Sequence, residues 1–242
     1  MCGRFAITTP PDAVRAYFGY NEQPNFPPRY NIAPTQPVAI IRMNMQARQF
    51  VLVRWGLVPS WMKEIPPSNP MINARAETLL EKPSFKKAAV RRRCLVPIDG
   101  YYEWKRAGGD SPKPYYIQKK DAGLLAVAGI WEHWQGADGS EIESTALITT
   151  AANETLRPIH HRMPVILDKD AQARWLDVTD VSAEEAHEFL RPASNNLLTA
   201  HQVSPRVNKV ANDDAQLLEP VAEETEELDE VMREDSSQLS LF

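Results

Sequence analysis

Cysteine, glycine and long apolar stretches are all scarce in this chain. Only Cys2 and Cys94 occur in 242 residues. Two cysteines cannot build a disulfide framework or a four-cysteine zinc site. The longest apolar run, Leu124 to Trp131, falls far short of the roughly 18–20 residues a membrane-spanning helix needs. The opening segment, MCGRFAITTP, lacks the apolar stretch of a secretory signal. A soluble, cytoplasmic protein is therefore expected. Glycine is low at 10 residues, whereas proline is high at 20, so loops should be stiff and extended. With 43% hydrophobic and 24% charged residues the composition is that of an ordinary globular protein. That balance supports a sizeable core and excludes wholesale disorder.

Charge is unevenly distributed. The net charge is -5, yet residues 219–242 hold nine acids and only Arg233 as a base, so that segment carries -8. Residues 1–218 are left with +3, a mildly basic body that permits a polyanionic partner without demanding one. The acidic segment has few aromatic residues and should be a disordered tail. The division expected is a domain over 1–218 and a tail over 219–242.

Periodicity points to mixed structure, richer in strand than in helix. Arg4–Ile7, Val38–Met43, Gln49–Arg54, Cys94–Ile98, Tyr115–Gln118, Leu124–Trp131, Ser144–Thr149 and Pro164–Leu167 read as strands. The second and third of these form a hairpin around residues 44–47. Helices are expected at 10–17, 171–176 and 182–190, the last with Ser182 and Glu185 as a capping box. Residues 21–37 hold five prolines and are expected to be irregular. Long helices do not alternate with strands, which argues against a doubly wound sheet. The fold class expected is α+β, a single compact domain around a strongly bent, barrel-like mixed sheet with peripheral helices. Cys94 reads as a buried strand residue.

Cys2 is the first residue that suggests chemistry. A small second residue permits removal of Met1, by cellular processing or by the protein itself. Cys2 would then present an α-amine and a thiol on adjacent carbons. Their reference pKa values are about 7.7–8.0 and about 8.5, so both are partly nucleophilic near neutrality. Such a pair condenses with an aldehyde to an imine and then closes to a thiazolidine. An amidohydrolase with an N-terminal cysteine nucleophile fits the position too, as does an incidental cysteine.

Three further stretches carry reactive side chains. Asn73-Ala74-Arg75-Ala76-Glu77-Thr78 offers a neutral amide and a guanidinium fork. Asp99-Gly100-Tyr101-Tyr102-Glu103-Trp104-Lys105 sets a carboxylate among aromatics, where burial would raise its pKa towards acid–base use. His160-His161-Arg162-Met163-Pro164 pairs a proton shuttle with an anion-binding group. Singly, each has an ordinary reading: a strand Glu on a solvated face, a loop His satisfied by hydrogen bonds. Adjacent His side chains on a strand or turn should point to opposite sides, so no two-His metal site is expected. Nothing calls for a metal or a small cofactor.

Taken in series, MCGRF at 1–5, YNIAPTQ at 30–36, RWGLVPSW at 54–61, NARAET at 73–78, CLVPIDGYYEWK at 94–105, ALITTAAN at 146–153 and IHHRMPVIL at 159–167 resemble the SOS response-associated peptidase (SRAP) family of abasic-site processing proteins. The likeness runs in order from residue 1 to about 220. It implies a protein that senses abasic sites in single-stranded DNA and shields them by a thiazolidine crosslink, lyase-type chemistry with self-removal of Met1. On that resemblance the nucleophile is Cys2, His160 opens the sugar and shuttles protons, Glu103 positions the amine and assists imine formation, and Asn73 holds the sugar. Arg4, Arg75 and Arg162, with Thr149, would contact phosphates. Trp61, on a Pro-rich loop, is either a stacking platform at a strand junction, worth about 1–3 kcal/mol per base, or a core aromatic. A monomer associated with the nucleoid is expected.

The last five residues, Gln238-Leu239-Ser240-Leu241-Phe242, resemble the pentapeptide that binds the bacterial sliding clamp. Two leucines and a phenylalanine are unexpected at the end of a solvated acidic tail, and a flexible tether suits a short docking motif. Three functions remain in view: a covalent DNA crosslinker, an N-terminal-cysteine amidohydrolase or peptidase, and a non-catalytic clamp-bound DNA adaptor. The second leaves NARAET and HHRMP without a role; the third leaves Cys2 without one.

Overall fold

One antiparallel sheet, one mixed sheet and four short α-helices make up most of the structure, a computed structural model that describes residues 2–65, 68–106 and 111–221. In chain order the elements are β1 (Arg4–Ile7), α1 (Pro11–Phe18), β2 (Arg29–Ile32), β3 (Pro37–Asn44), β4 (Ala47–Trp55), β5 (Asn73–Arg75), α2 (Pro83–Arg91), β6 (Arg93–Ile98), β7 (Gly100–Lys105), β8 (Lys113–Lys119), β9 (Leu125–Gln135), β10 (Glu141–Ala151), β11 (Arg162–Pro164), α3 (Lys169–Leu176), α4 (Ala183–His187) and β12 (Leu198–Gln202). No helix of the described residues is long and apolar enough to cross a membrane.

The larger sheet closes on itself. Starting from β10, each neighbour in the order β10-β4-β3-β6-β9 is hydrogen-bonded to the next, and β9 returns to β10. Four of these contacts are antiparallel and one, β10 with β4, is parallel. Closure leaves the ring without a free edge. The sequence explains the order: β6 is buried at all six positions because it runs through the centre, whereas β3 and β4 alternate and expose one face. The expected α+β fold with a barrel-like mixed sheet is what the chain adopts. Cys94 is fully buried on β6, its Sγ 3.6 Å from the Thr145 hydroxyl.

The smaller sheet has the order β12-β8-β7-β1-β2. It places β1 against β7, with Arg4 opposite Tyr102 and Phe5 opposite Tyr101. The far end of β10 is flanked by two short strands. Thr149 stands opposite Arg75 of β5 on one side and Pro164 of β11 on the other. These two pairings carry the segments around NARAET and HHRMP to one end of the barrel.

Helix α3 covers the barrel. Its Asp168 cap accepts a hydrogen bond from the Ala171 N–H, and its Trp175 is 1% exposed. The indole N–H donates to the Cys94 carbonyl at 2.9 Å. Trp175→Ala should therefore lower the unfolding free energy by about 3–5 kcal/mol, read from denaturant midpoints at unchanged slope.

The expected capping box at Ser182 and Glu185 is present. Four local expectations need correction. Residues 21–37 are not wholly irregular: β2 lies within them, because Tyr30 and Asn31 donate their N–H groups to Asp213 on one side while β1 pairs on the other. The strand expected at 164–167 sits earlier, at β11, since the edge of β10 ends at Ala151 and pairs with Arg162. The helix at 182–190 is shortened to α4. Helix α2 and strand β12 carry weak local signals and were not expected; Phe85, Ala88 and Ala89 bury α2 against the barrel. The acidic tail after residue 221 lies outside the described residues.

Candidate functional site

Cys2 sits just ahead of β1 and is fully buried, with its thiol 3.9 Å from the Arg4 carbonyl. Burial, reinforced by the neighbouring Glu103, pushes the thiol well above its ordinary value. Asn73 begins β5, and its side-chain amide donates to the Cys2 carbonyl at 2.8 Å. The Asn73 Oδ1 is buried without a hydrogen-bond partner among the described residues, which leaves one acceptor unused.

Glu103 projects from β7 and is 2% exposed. Burial is the main cause that lifts its carboxyl from 4.5 to about 7, with the Trp104 backbone N–H acting the other way. A carboxyl at that value is half protonated at neutrality and serves as acid or base. His160 lies 3.9 Å from it, Nδ1 to Oε1. The His160 Nδ1 lies 3.0 Å from the Arg162 N–H and 3.2 Å from the Arg162 carbonyl, so the Arg162 backbone fixes the orientation of the ring. Burial lowers the imidazole below its ordinary value, favouring the neutral form. Four residues from four separate segments thus converge: Cys2, Asn73, Glu103 and His160.

The arginines differ in their availability. Arg4 donates to Asn31 Oδ1 and to the Val207 carbonyl, each at 2.8 Å, so its guanidinium already ties β1 to the turn of 3₁₀ helix at Pro205–Asn208. Arg162 makes a two-pronged ion pair with Glu77 at 2.6 and 2.9 Å and donates to the Thr149 carbonyl at 2.7 Å. That pairing holds the Glu77 carboxyl below its usual range. The Thr149 side chain is fully buried. Arg75 is exposed and has no ion-pair partner among the described residues. Trp61 is 61% exposed, which excludes a core role for it.

Sequence reasoning missed two members of this neighbourhood. Glu77 was visible inside NARAET, but its pairing with Arg162 spans 85 residues and depends on β5 and β11 flanking β10. Tyr101 is fully buried two residues from Glu103; the signal available was the two-residue period of a strand. The His160 and His161 rings do not diverge: their centroids are 4.4 Å apart at 31°, because they occupy a turn ahead of β11. Two grooves of about 750 and 840 Å³ lie elsewhere, and neither contains any of the four converging residues.

Comparison with known proteins gives this arrangement a family. The model of the SOS response associated peptidase (SRAP) family matches residues 1–210. The chain belongs to the SRAP family. Among its SRAP relatives is a Bacillus subtilis protein named abasic site processing protein YoqW, 37% identical over 90% of this chain and 99% of its own. A chicken (Gallus gallus) relative named abasic site processing protein HMCES is 36% identical over 91% of this chain and 78% of its own. A crystal structure of a Bacteroides thetaiotaomicron protein superposes with a TM-score of 0.80 at 28% identity, covering 91% of this chain and all of that one.

Proposed function

We propose that this SRAP protein processes abasic sites in single-stranded DNA by capturing them covalently on Cys2. The observation that carries the reading is the meeting of Cys2 with an amide, a carboxyl tuned to about 7 and an imidazole. The names of its relatives point to the same substrate.

The chemistry follows from the groups. An abasic deoxyribose is mostly a closed hemiacetal with a little open aldehyde. Opening moves a proton from the anomeric hydroxyl to the ring oxygen, work for His160 and Glu103 together. After Met1 is removed, the Cys2 amine adds to the aldehyde and water leaves, giving a protonated imine. The thiol then closes the ring: its proton passes to Glu103, sulfur bonds to the imine carbon, and the C=N pair returns to nitrogen. One water is lost overall. The thiazolidine holds no free imine, so strand cleavage by β-elimination is suppressed. Tethering the thiol to the imine carbon makes closure intramolecular. Asn73 holds the Cys2 carbonyl and presents its free oxygen to the sugar.

Arg75 is the phosphate contact best placed to act, being exposed and uncommitted. Arg75→Ala should weaken binding to single-stranded DNA across sequences and lower the salt slope by about one, measured by fluorescence anisotropy against salt. Arg162 and Arg4 would serve DNA by sharing a guanidinium already engaged in the fold, Arg162 by holding His160 in place through its backbone. Trp61 offers an exposed ring for stacking.

The crosslink is tested by mixing the protein with a single-stranded oligonucleotide bearing one abasic site and running a denaturing gel. A heat-stable shifted band supports capture. Non-covalent binding alone would favour an adaptor, and amide turnover without a shift would favour an amidohydrolase. The ending Gln238, Leu239, Leu241 and Phe242 lies outside the described residues; in this reading it docks on the replication sliding clamp and delivers the protein to stalled forks. Saturable binding of the terminal peptide, lost in Leu241→Ala and Phe242→Ala, is the expected result.

A further inference from the structure

Tyr101 belongs to the cluster around Cys2, yet none of the steps above uses it. Its ring is fully buried, and its hydroxyl has no hydrogen-bond partner among the described residues. Buried polar groups are almost always paired, so an orphaned hydroxyl calls for an explanation.

The register of the sheet shows which face that side chain takes. On β7, Tyr101 and Glu103 share one face, while Tyr102 between them turns to the other and donates its hydroxyl to the Tyr30 carbonyl at 2.7 Å. Across the sheet from Tyr101 is Phe5, three residues after Cys2. The phenol is held well above its ordinary value by burial, then by Cys2, then by Glu103. It therefore stays a neutral O–H donor, with Cys2 and Glu103 the ionisable groups that bear on it.

The Cys2 sulfur needs a donor. In the resting site the thiol faces the Arg4 carbonyl, an acceptor, and the Glu103 carboxylate opposes a thiolate. The groups around Cys2 are Glu103 from β7, His160 from the turn before β11, neutral Asn73 from β5 and its own α-amine. None of the three side chains offers sulfur a permanent positive charge.

We infer that the Tyr101 hydroxyl donates a hydrogen bond to the Cys2 sulfur as it turns anionic, making Tyr101 a further catalytic residue in ring closure. Tyr101 keeps its proton throughout: the thiol proton goes to Glu103, the C–S bond forms, and the C=N pair returns to nitrogen. The inference rests on the crosslinking reading above, but its first test needs no DNA.

Tyr101→Phe deletes only the hydroxyl and removes an unpaired buried group, so the variant should melt no lower than wild type. Protein that starts at Cys2 is treated with iodoacetamide across a pH series, and alkylation of Cys2 is followed by peptide mass. In Tyr101→Phe the midpoint should rise by about one unit, a tenfold loss of thiolate at a given pH. Tyr102→Phe, which alters the opposite face, should leave the midpoint in place. With saturating abasic single-stranded DNA, Tyr101→Phe should form the heat-stable adduct about tenfold more slowly and accumulate a borohydride-reducible imine. Affinity for a strand carrying a tetrahydrofuran abasic analogue should not change. An unshifted midpoint overturns the assignment, as does a loss of DNA affinity matching the loss of rate. A shifted midpoint in a protein that makes no crosslink upholds the bond to sulfur and overturns the crosslinking reading instead.

Discussion

Cys2→Ala is expected to abolish the heat-stable adduct while leaving affinity for abasic single-stranded DNA unchanged. The alanine keeps the α-amine, so an imine with the sugar aldehyde still forms. Without sulfur there is nothing to close the ring, and the imine hydrolyses or eliminates. Borohydride should thus still trap Cys2→Ala on the strand, whereas without reductant the denaturing gel should show no adduct. The variant separates the two nucleophiles of one residue. Cys2 is fully buried, and its thiol lies 3.9 Å from the Arg4 carbonyl; alanine fits the buried volume. A heat-stable adduct persisting in Cys2→Ala would place the covalent bond elsewhere.

Glu103→Gln should slow crosslinking by about 10²–10⁴-fold, the usual range for losing a positioned acid–base group. Its pH dependence is the sharper readout. With the carboxyl lifted to about 7, the basic form that accepts protons grows as pH rises through neutrality. Wild-type rates should rise across that interval, and Glu103→Gln should lose the inflection. Stability should move the other way. A carboxyl at 4.5 in the unfolded chain and about 7 in the fold binds its proton more tightly when folded. Its contribution is complete below 4.5 and is lost as pH rises towards 7, a cost of about 3 kcal/mol above that point by linkage. Glu103→Gln removes the charge, so it should be more stable than wild type at pH 8 and indistinguishable from it at pH 4, by denaturant midpoint. A slower yet sturdier variant is the mark of a group kept buried for chemistry.

Much of the fold was legible in the sequence because the barrel strands are local signals. The β3–β4 hairpin shows in its alternation, and β9 in its long apolar run. A barrel-like sheet was expected, but the pairing that closes it was not legible, since the parallel contact of β10 with β4 joins Ser144 to Arg54 across the chain. The same limit applies to the site. Cys2, Asn73, Glu103 and His160 stand out by residue type and by the likeness of their segments to one family. What links them is tertiary: the Asn73 bond to the Cys2 carbonyl spans 71 residues. Arg4 shows the same limit: its bonds to Asn31 and to the Val207 carbonyl join residues far apart in the chain, and no local pattern announces them. Short strands such as β2 and β12 exist because neighbours pair with them, and no local pattern announces that.

Intact mass spectrometry of the purified protein, before and after incubation with one abasic single-stranded oligonucleotide, bears most directly on capture by Cys2. The expected spectrum shows a starting mass without Met1 and a single new species heavier by the oligonucleotide less one water. A protein confirmed to begin at Cys2 that keeps its starting mass beside excess abasic strand would contradict the proposed chemistry.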